Sequence, residues 1–279
     1  MIRTLHPELL DTLPAGDASA IGSRRDLRRL NTLMGHAGII ARSLKQCFPH
    51  QLPTRIIEIG AGEGQLLLRV AKRLHSSHWI ESQRDLPSDR AAQFHSLPEG
   101  EGRGEGAARS VTTAVSNRHV SSISTIASVD VLFIDLQNLL TADTKIEFAI
   151  LNWRVRSIEA DIFDWLSDPS TRTDVILANL VLHHFTDAQL KLLFAEAAEK
   201  ADAFIAVEPR RSRWPLLCAS LLGLIGCNSV TRHDAPVSVR AGFAGRELCS
   251  LWPRNGEWEL TEHRAGLFSH LFIARRRGR

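Results

Sequence analysis

The chain has 279 residues, 44% of them hydrophobic and 23% charged, the balance of an ordinary soluble protein with one large domain or two small ones. Thirty-four basic against 31 acidic residues leave a net charge of +3, too mild to point to nucleic acid. Cys47, Cys218, Cys227 and Cys249 form no CxxC pair, which counts against a zinc ribbon or thiol-redox site and fits reduced thiols in the cytoplasm. The N-terminal residues lack the apolar core of a signal peptide, and no stretch reaches the roughly 18 apolar residues of a membrane span.

Residues 1–52 read as a helical lid segment ahead of a domain at 53–279. Ser23 or Asp26 is a candidate cap for a helix through Leu27, Leu30, Leu33 and Met34, and a second helix runs from Ile39 through Leu44 toward Cys47. Arg55 to Ile59 is short, apolar and bounded by Pro and Gly, as a buried parallel strand is. Gly60-Ala61-Gly62-Glu63-Gly64 follows and opens a helix through Leu66, Leu67, Val70 and Leu74.

Residues 76–128 are rich in Ser, Gly, Arg and Glu and read as a flexible insertion, too poor in apolar surface to offset its ordering. A second strand is expected at Val129 to Asp135, a helix at Ala142 to Leu151, and a third strand near Val155 to Asp161. Asp174 to Asn179 is the fourth strand, Thr186-Asp187 caps the next helix, and Ala203 to Pro209 is the fifth strand. Trp258 to His263 and His270 to Ala274 read as a closing pair. Alternation of this kind implies an α/β fold: a Rossmann-like, mostly parallel seven-stranded sheet with flanking helices and an antiparallel closing pair.

The glycine turn ends a strand and opens a helix, the context in which backbone amides approach a ligand closely. Its spacing is neither GxGxxG nor that of a P-loop, and Glu58 just before it disfavours a pyrophosphate and suits a cationic ligand. Glu58-Ile59-Gly60-Ala61-Gly62-Glu63-Gly64 resembles motif I of the class I S-adenosylmethionine-dependent methyltransferases. Four further segments resemble that family in the expected order: Phe133-Ile134-Asp135, Glu159 to Phe163, Ala178 to Phe185, and Val207-Glu208-Pro209.

The resemblance implies S-adenosylmethionine as cofactor. It puts Glu58, Gly60, Ala61, Gly62 and Gly64 near the methionine end and the backbone approach, with Asn179 and Leu180 facing the methionine moiety. Asp135 would take the ribose hydroxyls, Asp161 the adenine amino group, and Ile162 would pack on the ring. Asp135 stands about seventy residues beyond Gly64, where roughly twenty is usual. Glu81 is nearer that spacing, but the strand pattern favours Asp135. The bland alternatives are a loop-start residue for Asp135 and a helix N-cap for Asp161.

His183 and His184 follow strand four at the carboxyl edge and are candidate bases for an acidic acceptor, or else only a pocket wall. No third ligand is evident beside them, so no metal is expected. His233, next to Asp234, and Arg240 are further candidates, with a surface loop and a helix-start salt bridge as the bland readings; His36 can reach over the site as part of a lid.

Trp214 to Cys227 carries no charge over fourteen residues and follows Arg210, Arg211 and Arg213. A buried helix is the favoured reading; an apolar pocket wall or a surface touching lipid is the sharper one, and points to a lipophilic acceptor. Arg275 to Arg279 reads as a solvated tail, with contact to an anionic membrane as the alternative. The expectation is methyl transfer to oxygen or carbon of a small phenolic or quinone-like acceptor, in the cytoplasm or peripheral at a membrane. No nucleic-acid partner is expected, and the oligomeric state is left open. The alternatives are a non-catalytic binding or partner protein that kept the fold, or an RNA methyltransferase.

Overall fold

A computed structural model describes residues 1–76, 128–166 and 172–278. The expected insertion therefore lies, but for its two ends, outside the described residues, and Glu81 with it.

In chain order the helical approach holds α1 (Leu9–Thr12), α2 (Ala18–Leu33) and α3 (His36–Cys47). Then come β1 (Arg55–Ile59), α4 (Gln65–Ser76), β2 (Val129–Asp135), α5 (Ala142–Ile150), β3 (Trp153–Glu159) and α6 (Ile162–Leu166). β4 (Thr173–Asn179) leads through a 3-10 turn at Leu182–His184 to α7 (Asp187–Lys200) and β5 (Ala201–Pro209). The chain closes with α8 (Arg213–Ser220), a 3-10 turn at Leu222–Ile225, α9 (Ser229–Ala241), α10 (Glu247–Leu251), β6 (Trp258–Ala265) and β7 (Ser269–Arg276).

The sheet has seven strands in the order β3-β2-β1-β4-β5-β7-β6. The first five run parallel, while β7 lies antiparallel to both β5 and β6, the closing pair expected from sequence. Successive side chains of a strand point to opposite faces, so each buried strand feeds two cores. Ile56, Val131 and Val175 pack with α3 and α4 through Leu44, Leu67 and Leu68. Ile57, Ile176 and Phe204 pack on the other face against Leu190 and Phe194 of α7 and Trp252. α3 thus belongs to the same core as α4, and only the chain ahead of it lies outside that core.

Four local expectations change. α2 is capped by Asp17, whose carboxylate accepts from the Ser19 and Ala20 amides. Ser23 and Asp26 instead lie mid-helix and buried, where Thr231 Oγ1 bonds both and the Asn228 amide donates to Asp26 at 2.8 Å. β3 begins at Trp153, two residues before the expected start, because Trp153 is a core residue stacked on Phe148.

Trp214 to Cys227 is not a buried helix. In α8 only Pro215 and Ala219, one stripe of small residues four apart, face inward, leaving Trp214 and Leu217 in solvent. Finally, Arg275 and Arg276 are not a loose tail: they end β7, paired with Glu259 and Glu257. Among the described residues no helix is long and apolar enough to cross a membrane.

Candidate active site

β1 and β4 are neighbours whose connections leave in opposite directions across the sheet, so their carboxyl ends flank the crevice where open α/β sheets take ligands. The glycine turn borders this crevice. Gly60, Gly62 and Gly64 hold φ of 65°, 55° and 70°, a region that side chains resist. A Cβ on Gly60 would come 2.8 Å from Val181 Cγ2, and one on Gly64 2.9 Å from Phe133 Cε2. At Gly62 the space is open, with nothing within 4 Å. Ala61 is half-buried, and its carbonyl accepts from the Gly64 amide at 3.0 Å.

Glu58 is buried in β1, in register with Phe133 of β2 and Leu177 of β4. Its Oε2 has no hydrogen-bond partner among the described residues. Burial, and after it the charge of Asp135, push the carboxyl up to about 8. Asp135 ends β2 and organises the crevice rim: Oδ2 accepts from the Gly62 amide at 2.8 Å and Oδ1 from the Gln137 amide at 3.1 Å.

Asp161 is exposed and caps α6, accepting from the Phe163 amide at 2.8 Å, with Ile162 half-buried behind it. Asn179 ends β4, and its Oδ1 accepts from His36 Nδ1 at 2.8 Å. Leu180 follows at φ 55°, a strained value for a non-glycine residue, held by its amide bond to Val207 O at 3.0 Å.

Beyond Leu180 the chain is shaped by one carboxylate. Glu208, fully buried at the end of β5, accepts from the amides of Val181, Leu182 and His183 and from His183 Nδ1 at 2.8 Å. Burial acts to raise its pKa, but the His183 bond and charge and the amides hold it below the usual carboxylate range. The other ring nitrogen of His183 meets Glu8 Oε1 at 3.3 Å, and Ser238 also bonds Glu8. Burial works against the imidazolium, yet the two carboxylates outweigh it and raise His183 to about 9. His184, beside it, is pushed down to about 4 by burial and then by the His183 charge, and lies 3.3 Å from Asp11. Burial, then the Glu8 charge, lift Asp11 to about 6.

The N-terminal segment covers this edge. Arg3 bonds the carbonyls of Phe185 and Ala241 and the Asp187 carboxylate, and lies over the Phe243 ring. Asp234 holds the Leu9 and Leu10 amides, the Leu13 carbonyl meets Gln137, and Arg28 bonds Glu63 within the glycine turn. His36 is fully buried, its second nitrogen 2.8 Å from the Ser269 hydroxyl.

Glu58, the three glycines, Asp135, Asn179, Leu180 and the His183-His184 pair thus gather at one edge. His233 does not join them: it sits half-exposed on α9, bonded to Asp234, and Arg240 reaches back to the Pro236 carbonyl. Glu8, Asp11 and Glu208 escaped the sequence reading as site residues. Glu208 left a signal in the Glu-Pro end of strand five, whereas Glu8 lies 175 positions from His183 and left none. Glu8 also supplies the third donor the paired histidines lacked, since ligand atoms of Glu8, His183 and His184 all fall within 4.8 Å of one another.

The Rossmann-like α/β fold is shared with solved methyltransferase structures. Among solved structures the chain resembles the plantazolicin methyltransferase BpumL in complex with SAH, at TM-score 0.55 and 13% identity over 94% of this chain and 92% of that one. The plantazolicin methyltransferase BamL matches at 0.54 and 11%, over 95% and 92%. An O-methyltransferase family protein from Burkholderia thailandensis matches at 0.52 and 14%, over 94% of this chain and 61% of that one. No protein-family model and no curated protein matches the chain.

Proposed function

We propose that this protein is an S-adenosylmethionine-dependent methyltransferase acting on oxygen or carbon of a small, lipophilic, phenolic or quinone-like acceptor. The observation that carries the reading is Glu58: a fully buried carboxyl with one unpartnered oxygen, beside the open face of Gly62 at the sheet's switch point. A buried polar atom without a partner is costly, and a cationic ligand relieves that cost. The amino group of the cofactor's methionine end fits Glu58, and the unfilled space at Gly62 fits close backbone approach.

In this reading Asp135 turns its remaining lone pairs to the ribose hydroxyls while its bonded amides keep the glycine turn in shape. Ile162 packs on the adenine and Asp161 meets its amino group. Asn179 and Leu180 border the methionine moiety. Bound there, the cofactor would supply a sulfonium-activated methyl group, whose transfer to a nucleophile in line with the breaking C–S bond would leave S-adenosylhomocysteine.

The base is the Glu208–His183 pair. Glu208 fixes Nδ1, so Nε2 is the atom that meets the acceptor, in the place Glu8 holds in this structure. Displacing Glu8 removes one of the two carboxylates that keep a proton on Nε2, and that proton passes to solvent. The neutral imidazole would then take the acceptor's hydroxyl proton, leaving its oxygen pair free to attack, and Glu208 would stabilise the imidazolium formed. His184, with its depressed pKa, remains a neutral wall. The exposed apolar side chains of α8, which packs on α9 as the 3-10 turn of His183 does, support a lipophilic acceptor.

Parallel calorimetric titrations with S-adenosylmethionine, S-adenosylhomocysteine and NAD test the reading. Micromolar binding of the first two alone, followed by S-adenosylhomocysteine production with long-chain phenols or quinols, is expected. Binding without turnover across such acceptors would instead make this a cofactor-holding partner protein.

A further inference from the structure

Trp214, 71% exposed, Leu217, Leu221, Leu224, 82% exposed, and Ile225 form an apolar surface on α8 and the turn after it. Large side chains exposed together on one short segment are unusual for a monomer's solvent face. Along the chain, the segment itself carries charge of one sign. From Pro209 to His233 there is no acidic residue, while Arg210, Arg211, Arg213 and Arg232 fall in that interval. Arg211 is spent internally on Glu247 and the Gly242 carbonyl. Arg213 and Arg232 are exposed, and the Arg232 stem lies against Gly223 between Leu222 and Leu224.

The position matters as much as the composition. α8 begins four residues after β5 ends, so it stands at the carboxyl edge, the edge that bears the candidate active site. The β6–β7 turn meets it there: Arg210 bonds the carbonyls of Leu267 and Phe268, and Leu267 is itself exposed. The C-terminal arginines are at the opposite end, since Arg275 pairs with Ala203 near the start of β5.

We infer that this face docks on an anionic bilayer, with Trp214, Leu217 and Leu224 entering the interface and Arg213 and Arg232 among the headgroups. A tryptophan and leucines rimmed by arginines are the composition that rests at the headgroup–acyl boundary. The site's mouth then opens beside the lipid that would carry a lipophilic acceptor. The docking surface itself stands without methyl transfer.

Vesicle flotation of the full chain tests this, using neutral phosphatidylcholine alone or with one third phosphatidylglycerol, at low and high salt. The wild type is expected to float with the anionic vesicles at least tenfold more than with the neutral ones, and less at high salt. Trp214→Ser/Leu217→Ser/Leu224→Ser is expected to lose flotation while keeping its melting temperature and S-adenosylmethionine affinity; Arg213→Glu/Arg232→Glu is expected to lose the salt-dependent part. Wild-type Trp emission should shift blue on the anionic vesicles. No flotation, or equal flotation of the serine variant, overturns the proposal. So does a wild-type dimer that the serine variant dissolves, which would make a second copy the occupant. Cofactor titration of the same samples reads the methyltransferase assignment separately.

Discussion

His36 Nδ1 donates to Asn179 Oδ1 at 2.8 Å although 143 positions separate them, and the same ring meets Ser269 at 2.8 Å. One neutral imidazole thus joins the first residue of α3, the last of β4 and the first of β7. Burial pushes its pKa down to about 4, so the bonds persist across the physiological range.

Removing that ring strands two buried polar groups. His36→Ala is expected to lower stability by about 2–4 kcal/mol, the sum of an unpartnered amide, an unpartnered hydroxyl and a cavity. Urea unfolding measures it. Cofactor affinity should fall as well, because Asn179 loses its anchor; an unchanged affinity would separate Asn179 from the cofactor.

Glu58 makes the opposite trade. Its folded pKa of about 8 exceeds the unfolded value, so the folded state binds more protons between roughly pH 4.5 and 8 and stability declines across that window. Glu58→Gln should stabilise the free protein at pH 8 by about 1–3 kcal/mol and weaken S-adenosylmethionine by tenfold or more. Binding of the cationic cofactor at pH 7 should release close to one proton, read as a buffer-dependent binding enthalpy.

The Glu208–His183 pair gives a rate and a pH signature. Because His183 is raised to about 9, its contribution to stability is complete below about pH 6.5 and disappears as pH rises through 9. The melting-temperature gap between wild type and His183→Ala should close over that interval. Turnover should drop about 10²- to 10⁴-fold in His183→Ala with cofactor affinity kept. A turnover that EDTA abolishes and one divalent cation restores would recast Glu8, His183 and His184 as metal ligands.

The glycines should separate structure from binding. Gly60→Ala drives a methyl into Val181 and is expected to destabilise by about 1–3 kcal/mol beyond Gly62→Ala, which meets only backbone strain. Gly62→Val should leave a folded protein that no longer binds cofactor. Asp135→Ala should weaken binding more than Glu81→Ala, as comparative titrations of the two variants would reveal.

Where packing is periodic, the sequence was readable. The strands from Arg55 to Pro209 alternate between two cores, and Thr186 caps α7 in a reciprocal box with Gln189, so local chemistry and fold agreed. What failed was long-range or directional. Nothing in the apolar run at Trp214 tells which face the small Pro215 and Ala219 will turn inward. Asp17 outcompeted Ser23 and Asp26 as a cap because those two were needed against α9. Glu8 reaches His183 only through the path of the N-terminal segment, which no spacing rule encodes.

That path has a kinetic meaning. Glu8 is a tethered competitor for Nε2, and Arg3 and Asp234 hold its tether so that its effective concentration at the imidazole is in the millimolar range or above. On the proposed function, an incoming hydroxyl would have to beat a carboxylate that never diffuses away, so apparent acceptor affinity would be the intrinsic affinity multiplied by the fraction of time the segment stands open. On the proposed function, water and short alcohols, which bring no apolar contact to offset that tax, would be disfavoured, and the first ten residues of the chain would act as the filter.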